Sequence, residues 1–247
     1  MAAPIVERLN DNVVRCGTWI VNWYLLADDD GVTVVDAAVT KYRPQLEPGL
    51  AALGRTTADV KAIVLTHCHN DHIGFAEQLR TELSIPVYIH EIDAGPATTG
   101  QSSGATEGSI GPYLRYPGFY RAAFALASGG GLKAAPIGEV TTFTDGEELP
   151  VPGRPRAIHT PGHSDGHCAL VAGETLFAGD AFCTLNPLTG KRGPQLMPPP
   201  FNRSTEQARA SLDKLLGTGA SVAAPGHGNP SREPDAAIGQ ARRSAST

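Results

Sequence analysis

Thr66-His-Cys-His-Asn-Asp-His-Ile-Gly74 places four metal-capable side chains, His67, His69, Asp71 and His72, within six positions. Neutral imidazole, with an ordinary pKa of about 6.5, is available to borderline ions such as zinc at neutral pH. Alternate residues of an extended segment project to one side, so His67 and His69 can reach one ion together. Asp71 and His72 stand at the turn that follows and can face a second ion. A lone histidine is ordinarily a hydrogen-bonded surface or core residue. Four such residues directly behind an apolar strand point to metal instead. Cys68 alternates away from the histidines and reads as core packing.

Outward from this stretch, Asp59 to Thr66 carries the buried-strand core Ile63-Val64-Leu65. Phe75, Leu79 and Leu83 recur at helical spacing over Phe75 to Leu83, and Val87 to His90 is a short strand. The order strand, polar loop, helix, strand is βαβ-like and puts the histidines at a strand's C-terminal end, a usual place for α/β sites. Upstream, Trp19 to Leu26 and Val32 to Val35 flank the turn Asp28-Asp-Asp-Gly31 and predict an antiparallel hairpin ending at Asp36. Tyr42 to Leu53 reads as helix interrupted by Pro44 and Pro48.

Downstream, strands are expected at Val140 to Phe143, Arg156 to His159, Cys168 to Val171, Thr175 to Ala178 and Ala220 to Ala224. Ser204-Thr-Glu-Gln207 resembles a capping box opening a helix through Ala208, Leu212 and Leu215 to Gly217. A short helix is expected after Ser231. Between the halves, Ala94 to Gly111 is rich in Gly, Ser, Thr and Ala and reads as loop. Tyr113, Tyr116, Phe119, Tyr120 and Phe124 then concentrate before Gly129-Gly-Gly131. Residues 91–135 are therefore read as an insertion over the sheet, a substrate-facing lid hinged by glycines. The competing reading is that the aromatics only anchor a long connection to the core.

The quoted stretch resembles the HxHxDH signature of the metallo-β-lactamase-fold superfamily. That pattern continues in order with Thr160-Pro-Gly-His163, Gly179-Asp180 and Pro225-Gly-His227, so the resemblance runs from about Trp23 to His227. It implies an α/β fold, a four-layered αβ/βα sandwich, here a single domain over residues 1–247. By motif position it implies that His67, His69 and His163 bind one ion, that Asp71, His72 and His227 bind the other, and that Asp180 bridges them. A buried aspartate after an apolar strand is costly without such compensation. His167 is read as ordering the site rather than ligating, because seven ligands already complete two sites. Thr66 and Asn70 are expected to hydrogen-bond around the motif; His159 reads as structural, and His90 is assigned nothing.

The chemistry so implied is hydrolysis by a hydroxide shared between two divalent ions, most naturally Zn2+, with Fe, Mn or Co able to use the same ligands. Asp71 would orient the hydroxide and pass on its proton. Asp180 at the bridging position resembles the glyoxalase II, lactonase and phosphodiesterase branches rather than β-lactamases with a cysteine ligand. Little chain follows His227 to form the helical domain usual in glyoxalase II. Lactonases tend to carry a tyrosine three residues after the bridging aspartate, where this chain has Cys183. The expected substrate is a small-molecule ester, lactone or thioester, in a pocket built from Tyr113, Tyr116, Phe119, Tyr120, Phe124 and Cys183. Alternatives are a phosphodiesterase, a mononuclear iron oxygenase and a non-catalytic metal-binding protein.

The 247 residues, 41% hydrophobic and 18% charged, are ample for a globular core. A formal net charge of −5 gives no reason to expect nucleic acid as a partner. No apolar run approaches bilayer length, the start lacks a secretory pattern, and four cysteines without a CxxC pair fit a reducing compartment. A cytoplasmic monomer or homodimer is the expectation.

Overall fold

Alternate residues of a β-strand face opposite sides, and in the central strands here both sides are apolar. Such strands must be covered on both faces. The computed structural model describes residues 3–100 and 105–244. Its first sheet has seven strands in sequence order: β1 (Ile5–Arg8), β2 (Val13–Gly17), β3 (Asn22–Asp28), β4 (Gly31–Val35), β5 (Val60–Val64), β6 (Val87–His90) and β7 (Thr141–Phe143). β1 to β4 are antiparallel, and β4 to β7 run parallel. The later strands are β8 (Arg156–His159), β9 (Cys168–Ala172), β10 (Thr175–Gly179), β11 (Cys183–Leu185), β12 (Arg192–Gln195) and β13 (Val222–Pro225). A second sheet has the order β13-β10-β9-β8, with β10 and β13 parallel, and β11 pairs with β12 in a separate hairpin.

Three apolar cores separate four layers. Trp23, Leu25, Val34 and Ile63 point outward from the first sheet, onto Leu46 and Leu50 of α1 (Leu46–Ala52) and onto Phe75 and Leu79 around α2 (Asn70–Ile73) and α3 (Ala76–Leu83). α4 (Glu91–Thr99) and α5 (Pro117–Gly129) complete that layer through Ala97, Ala122 and Ala125. Their alternating neighbours Tyr24, Leu26, Val35 and Val64 face inward, against Leu170, Phe177, Val222 and Ala224 of the second sheet. On the far side, Leu176, Ala178 and Ala223 pack beneath α6 (Thr205–Ser211) and α7 (Pro234–Arg243), with Leu212, Leu215 and Ile238. This is the αβ/βα sandwich that the motif resemblance implied.

Most elements fall where the sequence reading puts them, including the hairpin β3–β4, the strand before His67 and the Ser204 cap, whose Oγ accepts from Gln207 N at 3.2 Å. Three differ. The strand expected from Trp19 begins at Asn22, because Gly17 at φ +126 and the bend after it turn the chain first. Ala94 to Gly111 is not all loop: α4 continues to Thr99 despite Gly95 and Pro96, and ends at Gly100 in the left-handed region. Residues 101–104 of that expected loop lie outside the described residues. The short strands β1, β2, β11 and β12 were not anticipated.

Candidate metal centre

Every candidate ligand sits just past the C-terminal end of a strand: His67, His69, Asp71 and His72 after β5, His163 after β8, Asp180 after β10 and His227 after β13. The sandwich brings these four loops to one edge. Single ring or carboxylate atoms of His67, His69 and His163 lie within 4.8 Å of one another, as do those of Asp71, His72 and His227. His67, His72 and Asp180 form a third such group between them. Asp180 Oδ2 is 3.3 Å from His163 Nε2 and 3.2 Å from His227 Nε2, while Oδ1 is 3.6 Å from His72 Nε2. Asp71 Oδ2 is 3.4 Å from His227 Nε2. Asp180 therefore stands between the two groups.

The ring tautomers are set from behind. Thr66 Oγ1 donates to Asp36 Oδ2 at 2.9 Å, which leaves it to accept from His67 Nδ1 at 3.0 Å. His72 Nδ1 donates to the same carboxylate oxygen at 2.8 Å, His163 Nδ1 to Asn202 Oδ1 at 3.1 Å, and His227 Nδ1 to Ile20 O at 2.6 Å. Each imidazole thus turns its Nε2 inward. Among the described residues, His67 Nε2, His72 Nε2 and Asp180 Oδ1 are buried without a hydrogen-bond partner. His69 Nδ1 and His163 Nε2 converge to 2.9 Å. Buried polar atoms left unpaired are costly, and atoms of this donor set aimed at common points fit divalent cations.

Charge follows the same division. Burial, and then the neighbouring histidines, hold His67 and His163 well below the usual imidazole pKa, so both are neutral donors. Burial also lowers His69. Burial would lower His72 as well, but the carboxylates of Asp180 and Asp36 outweigh it and hold it well above the usual value. His227 is raised likewise, Asp180 outweighing burial. Asp180, despite burial, is kept well below the carboxylate range by His227 and His72.

Two backbone features hold the loops. Asp36, at φ +59 and 2% exposed, also accepts from Thr66 N at 2.8 Å. Asn22 is fully buried and donates through Nδ2 to Pro225 O at 2.8 Å and Gly228 O at 2.6 Å, on either side of His227. Both ring nitrogens of His167 are engaged elsewhere: its Nε2 accepts from Asp180 N at 2.9 Å, and its Nδ1 pairs with Thr160 Oγ1 at 2.9 Å. Burial pushes its pKa down to about 4, as an acceptor requires. His159 stacks on His90 with centroids 4.4 Å apart, and neither belongs to the clustered groups found among the described residues.

Above the ligands lies a cavity of about 270 Å³. His69, Asp71, His163, Asp180 and His227 form its floor, and Leu126, Pro187, Met197, Pro200 and Phe201 its apolar wall. The sequence profile of the Metallo-beta-lactamase superfamily matches residues 16–227. The chain belongs to that superfamily. Among its relatives, the probable metallo-hydrolase YflN of Bacillus subtilis (strain 168) is 31% identical over 183 residues, 69% of this chain and 65% of that protein. A hydroxyacylglutathione hydrolase of Alkalilimnicola ehrlichii is 32% identical over 169 residues, 68% of this chain and 47% of that protein. The match thus spans less than two thirds of either relative's length. Among solved structures, a metallo-beta-lactamase family protein from Thermus thermophilus superposes with a TM-score of 0.61 at 30% identity, over 89% of this chain and 72% of that one.

None of the expected pocket residues Tyr113, Tyr116, Phe119, Tyr120, Phe124 and Cys183 is among the described residues that line this cavity. α5 buries its small side, Ala122 and Ala125, and turns Tyr120 and Phe124 to solvent, the latter 73% exposed. Tyr113 is buried, Tyr116 and Phe119 are half-buried, and the Cys183 thiol is buried against Leu196 O. The 91–135 segment reaches the cavity through Thr106, Leu126 and Gly131 instead. Among the described residues, no helix is long and apolar enough to cross a membrane.

Proposed function

We propose that this chain is a dinuclear metal-dependent hydrolase of a small-molecule ester, lactone or thioester. The observation that carries the reading is the set of bare, buried atoms of His67, His72 and Asp180, clustered with the His69, Asp71, His163 and His227 side chains that open onto an apolar-walled cavity. His67, His69 and His163 would hold one divalent ion, Asp71, His72 and His227 the other, with Asp180 between them. Zn2+ suits this donor set, and Fe, Mn or Co share it. Divalent cations there supply Lewis acidity, polarising a carbonyl oxygen and making water nucleophilic at neutral pH.

The remaining chemistry belongs to side chains. Asp71 is half-buried, opens onto the cavity and stands 3.4 Å from His227; it would orient the attacking water and accept its proton. Leu126, Met197 and Phe201 hold the apolar part of the substrate and keep bulk water from the reacting carbonyl. Two of the relatives are hydroxyacylglutathione hydrolases, so thioesters belong beside lactones and simple esters in the test. That test is turnover by the zinc-loaded chain across esters, lactones, hydroxyacyl thioesters and phosphodiesters. Acyl turnover lost on chelation and restored by zinc is expected. Phosphodiester turnover well above acyl turnover would replace the substrate class, and no turnover of any would overturn the reading.

A further inference from the structure

Asp93, in the first turn of α4, is a buried carboxylate, 1% exposed, that takes no direct part in the ligand set. Its three donors are uncharged. Oδ2 accepts from Cys68 N at 3.1 Å and Ser164 Oγ at 2.8 Å, and Oδ1 accepts from Gly166 N at 2.9 Å. Cys68 lies between His67 and His69, and Ser164 directly follows His163. One carboxylate therefore joins the two loops that bring three imidazoles together from strands β5 and β8. The seat is specific to glycine at position 166, where an added Cβ would fall 2.6 Å from Asp93 Oδ1 and 2.7 Å from its Cγ. His227, by contrast, is held from the opposite side by Asn22 and Ile20.

We infer that Asp93 is the positioning residue of the three-histidine site, fixing the spacing of His67, His69 and His163 without governing the His72–His227 side. The inference rests on the metal-binding reading above. It makes the two ion sites separable by a substitution that removes no ligand. An Asn side chain at 93 keeps the volume but turns an N–H toward a donor on one loop, which must then move.

The test is competition between the metal-stripped chain and a chromogenic chelator for Zn2+, giving stepwise dissociation constants. In Asp93→Asn one step weakens roughly 10- to 100-fold while the other stays within about twofold. Ser164→Ala, which removes a single donor and spares the helix, weakens the same step by a smaller factor, so a poorly folding Asp93→Asn does not close the question. Identity of the step comes from His69→Ala, which keeps only the His72–His227 side: adding Asp93→Asn leaves that remaining constant unchanged. Both steps unchanged in Asp93→Asn, or the remaining step weakened equally in the His69→Ala background, would overturn the inference. A parent chain that takes up no zinc would overturn the underlying reading and this inference with it.

Discussion

Replacing Asn22 with alanine should separate the stability of the His227 loop from the rest of the sandwich. The side chain is fully buried at the start of β3 and makes three hydrogen bonds: from Arg15 Nε at 2.9 Å, to Pro225 O at 2.8 Å and to Gly228 O at 2.6 Å. Alanine does not orphan the two carbonyls. Tyr24 Oη still donates to Pro225 O at 2.7 Å, and Arg15 Nη2 to Gly228 O at 3.1 Å. Those two bonds therefore count at the low end, about 0.5 kcal/mol each. The Arg15 guanidinium, 3% exposed, loses its Nε acceptor, and a bond to a charged group is worth about 1.5–3 kcal/mol. The whole change comes to about 3 kcal/mol, or a fall in Tm of roughly 6–12 °C for a chain of this size. Urea unfolding of the chelator-treated chain reads it as a lower midpoint at constant slope. A loss below about 1 kcal/mol would refute the reasoning, because the buried arginine would then have another acceptor.

Three further outcomes follow from the same geometry. Gly162→Ala places a Cβ on the Ala208 backbone at φ +130, so a loss of roughly 3 kcal/mol or more is expected in urea unfolding; a variant as stable as the parent would contradict the packing of α6 on the His163 loop. His72 and His227, whose neighbouring carboxylates outweigh burial and raise them above the usual imidazole value, hold their protons more tightly than a free imidazole in the stripped chain. Zinc competes with those protons, so affinity should rise with pH, and titration calorimetry in buffers of different ionisation enthalpy should show proton release; binding independent of pH would contradict this. Met197→Ala, in the cavity wall, should shift kcat/KM about tenfold toward bulkier acyl groups, and an unchanged preference would remove Met197 from the substrate's path.

Local spacing reaches the first four candidate ligands because they share one strand end: alternation turns His67 and His69 to one side, and the turn that follows presents Asp71 and His72. His163, Asp180 and His227 were reachable only through motif resemblance, since nothing local tells that β8, β10 and β13 end at the same edge as β5. Asp36 had a readable signal that was not used: a carboxylate directly after the apolar strand Val32–Val35, the very argument applied to Asp180. Asn22 and Asp93 had none, because their partners lie about 200 and 25–73 positions away. α4 was misread because Gly95, Pro96 and the small residues around them have poor helix propensity, whereas tertiary anchoring of its first turn decides the matter. The aromatic segment follows a different physical logic. Aromatic character reads Tyr113, Tyr116, Phe119, Tyr120 and Phe124 as pocket lining, but Ala122 and Ala125 are the side of α5 that packs against the layer beneath, and Tyr120 and Phe124 face solvent.

The metal content of the zinc-reconstituted chain, measured by elemental analysis beside its Asp180→Ala variant, bears most directly on the centre as a whole. About two equivalents per chain are expected for the parent, with the variant losing at least one equivalent together with acyl hydrolysis. A single equivalent in both chains, or as-purified protein carrying one iron and consuming oxygen, would contradict the bridged two-metal centre.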